Sequence, residues 1–337
     1  MTWARYFDEQ AETMPTAWTR RLEEELLADQ VLRCYQRAPF YARKLADAGL
    51  RPEHVQKLED LRLLPFTTRE ELRESQAAAP PFGDYVCAEQ LDIPRGRVAS
   101  GGTERPLLVG YSERDLRKSA EIGARAFWAC GARPDDTIVH CRPDGFSAGG
   151  LSDHLALEAT GATAVPLAGT EAEPLLAIWD AVAPTGLLSA GPYPDRLADA
   201  LVEQGREPRS LGLHRLIVAE DAGAAPAPDR RRLEEVWGAD VGGSYGVADV
   251  WETIAGECEE HDGLHFCGQG GTLVELVDPA DGEPVEIEPG AVGELVFTHL
   301  DREASPLLRF RSGEVAGILG IACPCGRTGF RFRIAGG

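Results

Sequence analysis

Nowhere does the 337-residue chain hold an apolar run near the roughly 18 residues that a membrane-spanning helix needs. The opening residues, Met1 to Asp8, lack the long apolar stretch of a secretory leader, and a cytoplasmic protein is expected. Basic side chains are scarce: 34 Lys and Arg stand against 55 Asp and Glu, a net charge of −21. A field of that sign repels nucleic acid and anionic lipid, so neither is expected as a partner without a local basic patch. The densest basic run, Arg230-Arg231-Arg232, is followed by Glu234 and Glu235 and reads as a solvated helix face. Also missing is the Gly-Lys-Ser/Thr ending of a Walker loop. An acidic chain can still hold an anionic ligand, through backbone N–H groups and a bound cation.

What is present begins with a core. An apolar content of 43% is ample for one large domain or two to three subdomains. Leu22, Leu26, Leu27 and Leu32 recur at helical spacing, and a second helix is expected around Leu45. Thr67 or Thr68 would cap a third helix, with Glu70 and Glu71 in its first turn. A Pro- and Ala-rich stretch over 77–96 marks a loop or border. Apolar runs at 137–140, 162–165, 186–189 and 213–218 then alternate with helical patterns at 114–130, 153–160, 173–182 and 194–204. Such alternation predicts an α/β fold with a mainly parallel sheet flanked by helices. From Leu264 onward strands and turns take over, including the turn Asp278-Pro279-Ala280-Asp281-Gly282, which predicts a small, barrel-like antiparallel β subdomain. The expected organisation is therefore a helical segment over 1–96, an α/β core over 97–257 and a β subdomain over 258–337.

Four of the eight cysteines, Cys34, Cys87, Cys130 and Cys141, are scattered and read as reduced core residues. The other four crowd into the last quarter of the chain. Cys323-Pro324-Cys325-Gly326 is a tight turn that can present two sulfurs to one side, as a zinc knuckle requires. Tetrahedral closure needs two more ligands. Cys258 and His265, either side of the Asp262-Gly263 turn, are favoured, with His261 and Cys267 as alternatives. A closed set of four implies a structural zinc ion rather than a catalytic one.

Three further segments carry chemistry-bearing residues. Ser100-Gly101-Gly102-Thr103 could wrap phosphates with its backbone N–H groups. Gly243-Ser244-Tyr245-Gly246 leads to Asp249; an aromatic there could stack on a purine and an acid could bind Mg²⁺. Arg311-Ser312-Gly313-Glu314 places an acid that could bind a ribose diol. Taken singly, each is an ordinary loop, strand end or surface ion pair.

Taken in order they are more. Ala38-Pro39-Phe40-Tyr41, Leu58-Glu59-Asp60-Leu61, Leu64-Pro65-Phe66-Thr67-Thr68, Gly149-Gly150-Leu151, Ala219-Glu220, Tyr245-Gly246 with Asp249, and the two cysteine segments occur along nearly the whole chain. In them the chain resembles the phenylacetate–CoA ligase branch of the adenylate-forming (ANL) superfamily. The resemblance implies an ANL-type N-terminal large domain and a two-step reaction. A carboxylate attacks the α-phosphate of ATP to give an acyl adenylate, and a thiol, usually CoA, then displaces AMP. It also implies roles: Ser100, Gly101, Gly102 and Thr103 on the phosphates, Glu220, Tyr245 and Gly246 around adenine, Asp249 on Mg²⁺, and Glu314 on the ribose. Thr103 and Asp249 would be the catalytic pair. Phe146, Ala148, Gly149, Gly150 and Ala219 would shape the acid pocket, for an aryl group. Cys258, His265, Cys323 and Cys325 look like the family's structural metal site, and a homodimer is what the resemblance suggests.

The family's phosphate loop reads Ser-Ser-Gly-Thr-Thr-Gly-Lys-Pro, whereas Gly102, Glu104 and Arg105 stand here for a Thr, a Gly and the Lys. Asp249 stands for Glu and Glu314 for Asp, changes that keep the charge but move the carboxylate. The chain stops at Arg333-Ile334-Ala335-Gly336-Gly337, about where the family's hinge begins, so the C-terminal lid domain is expected to be absent. The expected activity is ATP-dependent activation of a carboxylic acid. The alternative is a repurposed scaffold that binds an acyl, CoA or carrier-protein ligand, or runs different chemistry in the old acyl pocket.

Overall fold

Thr68, not Thr67, starts the third long helix. Its hydroxyl accepts the Glu71 N–H (3.3 Å) and the Glu71 carboxylate accepts the Thr68 N–H (2.8 Å), a reciprocal capping box over the helix Arg69–Ala78. Such a cap contributes about 1 kcal/mol. Upstream, the helix Thr16–Arg37 buries Leu27, Gln30, Val31 and Cys34, a stripe at helical spacing. Leu22 and Leu32, read from the sequence as part of the apolar face, are exposed instead. Pro39 begins the next helix, Pro39–Asp47, at a position where its missing N–H costs nothing.

The computed structural model describes residues 3–99, 106–142, 150–167, 172–221 and 229–335. These divide into two compact units, one built from residues 3–8 and Ser119–Cys267, the other from Glu9–Lys118 and Gly268–Ala335. In chain order the strands are β1 (Arg95–Ala99) and β2 (Leu107–Tyr111), then β3 (Thr137–His140), β4 (Thr163–Pro166) and β5 (Gly186–Ala190). Next come β6 (Arg215–Asp221), β7 (Asp240–Val247), β8 (Trp251–Glu257) and β9 (Leu264–Phe266). The last are β10 (Thr272–Val277), β11 (Pro284–Val285), β12 (Val292–His299), β13 (Phe310–Gly320) and β14 (Arg331–Ile334).

The unit from Ser119 to Cys267 is the α/β core. Its strands run in the order β9-β8-β7-β6-β5-β3-β4, parallel from β7 to β4 and antiparallel where β7, β8 and β9 return on one another. The pleat sends neighbouring apolar residues to opposite faces. Val139, Leu187, Leu216, Val218 and Val241 pack under the helices Ala172–Val182, Tyr193–Glu203 and Arg230–Trp237. Ile138, Leu188 and Ile217 pack on the other face, against Phe127 and against Ala156 and Leu157 of the helix Gly150–Ala159. A parallel sheet covered on both faces explains why these strands read as continuous apolar runs.

In the other unit β1 pairs antiparallel with β2, and β11-β10-β12-β13-β14 form an antiparallel sheet. The sequence suggested a barrel; the strand order within this unit is open. The expected turn is present, with Gly282 at φ 78° donating its N–H to the Asp278 carbonyl (2.8 Å). Arg309 stabilises this unit from within: it pairs with Glu275 (2.9 Å), donates to the Leu64 carbonyl (2.8 Å) and lies over the Phe66 ring. No described helix is long and apolar enough to cross a membrane.

Candidate functional site

Parallel sheets offer their ligand sites at the carboxyl ends of the strands, because the loops there diverge. Several of the sequence candidates lie at that end. Ala219 and Glu220 near the end of β6 stand in register with Ser244 and Tyr245 of β7. Ala219 and Tyr245 are buried, and Glu220 is half-buried. Gly246 sits at a register irregularity between β7 and β8, where a Cβ would collide with the Glu252 carbonyl group. Only glycine fits there. The chain then turns, with the Val250 N–H bonded to the Val247 carbonyl (2.8 Å), and places Asp249 in that turn with 1% of its surface exposed. At Gly243 a Cβ would come within 3.2 Å of the Glu220 carboxylate, a tight contact with the end of a flexible side chain.

Gly150 is buried at the start of its helix. Ser100, Gly101, Gly102 and Thr103, with Glu104 and Arg105, lie outside the described residues, as do Phe146, Ala148 and Gly149. Glu314 belongs to the other unit. It is half-buried on β13, its N–H donating to the Ser312 hydroxyl (3.1 Å), which itself donates to the Leu295 carbonyl (2.6 Å).

The metal-donor candidates are sorted by their local bonding. Cys258 directly follows β8 and His265 lies on β9 opposite Gly256; both are buried. The two alternatives are occupied elsewhere. The Cys267 thiol donates to the His265 carbonyl (3.3 Å), and His261 Nε2 lies 3.2 Å from Asp240 Oδ1. In the other unit Gly326, at φ 87°, donates its N–H to the Cys323 carbonyl (3.0 Å), and the Arg327 N–H reaches Cys325 Sγ (3.5 Å). A backbone N–H on sulfur favours the thiolate that a metal needs. Arg327 anchors this turn through a buried ion pair with Glu12 (2.7 Å). The scattered cysteines, Cys34, Cys87, Cys130 and Cys141, are buried free thiols; burial pushes the Cys141 thiol up to about 11, as expected of an inert core residue.

The chain is similar to known proteins over almost its whole length. A phenylacetate–coenzyme A ligase from Thermus thermophilus is 35% identical over 329 residues, covering 96% of this chain and 71% of that protein. The chain belongs to the phenylacetate–CoA ligase family. A second relative of the same description, from Pseudomonas putida, is 30% identical, covering 94% of this chain and 71% of its own length. Among solved structures, an open conformation of 2-hydroxyisobutyryl-CoA ligase in complex with 2-HIB-AMP and CoA superposes with a TM-score of 0.91 at 31% identity. It covers all of this chain, and the match spans 73% of that protein. No protein-family model matches the chain.

For a phenylacetate–CoA ligase family member, the residues that the sequence reading missed are charged and deeply buried. Arg142, just beyond β3, pairs with Asp153 of the helix Gly150–Ala159 (2.9 Å), both nearly inaccessible. Asp153 in turn accepts the Thr253 hydroxyl (2.6 Å) from β8. In the sequence, Arg142 and Asp153 flank 143–149, where most of the expected acid-pocket residues fall and which lies outside the described residues. His140, at the end of β3, stacks on His154 with ring centroids 6.0 Å apart. Burial, then the Arg142 charge and His154, push the His140 imidazole down to about 3, so it is neutral at physiological pH. An acid inside an apolar helix pattern, as Asp153 is, was the one available signal for this cluster.

Proposed function

We propose that this chain activates a small carboxylic acid, an aryl acid, as its acyl adenylate at the expense of ATP, and passes the acyl group to CoA. The reading rests above all on one observation: Glu220, Tyr245, Gly246 and Asp249 meet at the carboxyl end of the parallel sheet, in a chain 35% identical to a phenylacetate–coenzyme A ligase. Adenylation is in-line attack on phosphorus, so the protein contributes mainly positioning and charge neutralisation. Tyr245 would stack on adenine beside Glu220 and Gly246, and Glu314 would bind the ribose diol. Ser100 to Thr103 would hold the phosphates through backbone N–H groups, with Thr103 bonding the transferring group. Phe146, Ala148, Gly149, Gly150 and Ala219 would shape the acid pocket.

Asp249 fits a Mg²⁺ ligand in kind, since a carboxylate in the turn after β7 is the hard oxygen donor that Mg²⁺ takes. Mg²⁺, when bound, would neutralise charge on the phosphates. Cys258, His265, Cys323 and Cys325 are donors of the kind a metal ion takes; Cys258, His265 and Cys325 are buried and Cys323 is half-buried. Three thiols with one imidazole suit zinc in a closed, structural role. Elemental analysis of freshly purified protein should find that zinc, and chelation should lower its thermal midpoint; protein without zinc would remove the metal assignment.

Calorimetry with Mg²⁺–ATP tests the nucleotide reading without knowledge of the acid. Micromolar binding, lost in Asp249→Ala, together with pyrophosphate release in the presence of arylacetic acids, is the expected result. No binding at millimolar ATP would sink the proposal and leave a scaffold for thioester or protein ligands.

A further inference from the structure

A second donor cluster lies at the opposite, amino-terminal end of the parallel sheet. Glu234 comes from the helix Arg230–Trp237, Asp240 is the first residue of β7, and His261 sits in the turn between β8 and β9. One donor atom from each lies within 4.8 Å of the other two. His261 Nε2 and Asp240 Oδ1 are 3.2 Å apart. Two ligands each about 2.0–2.1 Å from a common ion, at octahedral to tetrahedral angles, stand roughly 2.9–3.4 Å from one another. The observed separation is therefore already that of two ligands on one ion.

The surroundings fit the same role. Arg215 holds Asp240 by Oδ2 (2.9 Å), so that Oδ1 faces His261, and Arg230 holds Glu234 by Oε1 (3.2 Å). Outer hydrogen bonds of this kind orient ligating carboxylates. His261 Nδ1 is a buried atom without a hydrogen-bond partner, so the ring has a further nitrogen to offer. A cavity of about 340 Å³, lined by Asp240 and His261 and by Glu257 and Glu259 with Arg5, Arg133 and Arg215, gives an ion a route in.

We propose that Glu234, Asp240 and His261 form a binding site for a divalent first-row cation, separate from the cysteine-rich donor set and from the nucleotide end of the sheet. Two carboxylates and an imidazole, without sulfur, suit Mn²⁺ or Zn²⁺. Mn²⁺ is the discriminating probe, because it prefers oxygen and nitrogen and competes poorly for a thiolate set.

The test is Mn²⁺ binding to the whole chain, without nucleotide, after dialysis against a weak chelator, followed by calorimetry and by loss of the free-Mn²⁺ paramagnetic resonance signal. One Mn²⁺ per chain is expected. Glu234→Gln and His261→Asn should each weaken it at least tenfold, and Asp249→Asn should leave it unchanged. Asparagine is chosen because His261 has φ 50°, a left-handed conformation that Asn tolerates, so the fold survives the change. No Mn²⁺ bound at millimolar concentration, equal affinity in His261→Asn, or loss only in Asp249→Asn would each overturn the assignment. The last result would move the ion to the nucleotide end, while failure of Mg²⁺–ATP binding alone leaves this site standing.

Discussion

The two ends of the parallel sheet are built from different materials. At the carboxyl end, Ala219, Ser244 and Gly246 are small and buried, and the charges of Arg142, Asp153 and Asp249 have almost no access to water. At the amino end, Arg215, Asp240 and His261 keep 21%, 48% and 23% of their side-chain surface exposed and pair with one another. Charges out of water keep their full strength and punish the loss of a partner; charges in water are screened and forgiving. One end thus holds charges fixed out of water and the other an adaptable rim, on the same strands.

The sharpest way to break this contrast is to remove one charge of the buried pair. Asp153→Ala removes the ion-pair partner of the buried Arg142 guanidinium and should cost about 3–5 kcal/mol in urea unfolding; a loss under about 1 kcal/mol would mean that the carboxyl end is as wet as the amino end. Gly246→Ala comes next. The added methyl group meets the backbone of Glu252 rather than a side chain, so nothing nearby can rotate away, and about 1–3 kcal/mol or more should be lost. An unchanged unfolding midpoint would show that the β7–β8 irregularity is pliable.

A pH series sharpens the same point through His140. Its folded-state pKa lies below that of the unfolded chain, so the unfolded state binds more protons between roughly pH 6.5 and about 3. Stability from this group is complete above the unfolded value and falls as pH drops through that window, by up to about 1.4 kcal/mol per pH unit. Comparing unfolding midpoints of the protein and His140→Asn at pH 7.5 and 5 checks it; parallel losses would clear His140 of the effect. The smallest change is expected at the other end. Asp240→Asn, measured without added metal, should cost less than about 1 kcal/mol, as half-exposed pairs do. A larger loss would erase the distinction between the two ends.

The strands and helices of the parallel-sheet unit were legible because their signal is local. The runs at 137–140 and 186–189 and the helical pattern at 173–182 lie within a residue or so of β3, β5 and the helix Ala172–Val182. Order and spacing of motifs were enough to identify the family, since many weak segments in one sequence order are not independent. The Arg142–Asp153–Thr253 network was illegible because Thr253 stands 100 residues from Asp153, and no periodicity marks such a pair. The choice among His261, His265 and Cys267 was likewise open on spacing alone. It is narrowed by what the competitors bond to, a hydrogen bond from Cys267 and an ion pair at His261. Leu22 and Leu32 were misassigned because leucine spacing on the long helix fits more than one face, and the buried stripe includes the polar Gln30.

The pinch at Gly246 has a bearing on how this lineage can be read over time. Because the glycine is demanded by the path of the backbone, selection for folding alone would preserve it, even in a descendant that never again met a nucleotide. Tyr245 and Asp249 carry no such steric veto against replacement. On the nucleotide roles proposed for Tyr245 and Asp249, drift at those two positions beside an unchanging glycine would date the loss of that chemistry in a collection of homologues, and the glycine itself would be a silent witness.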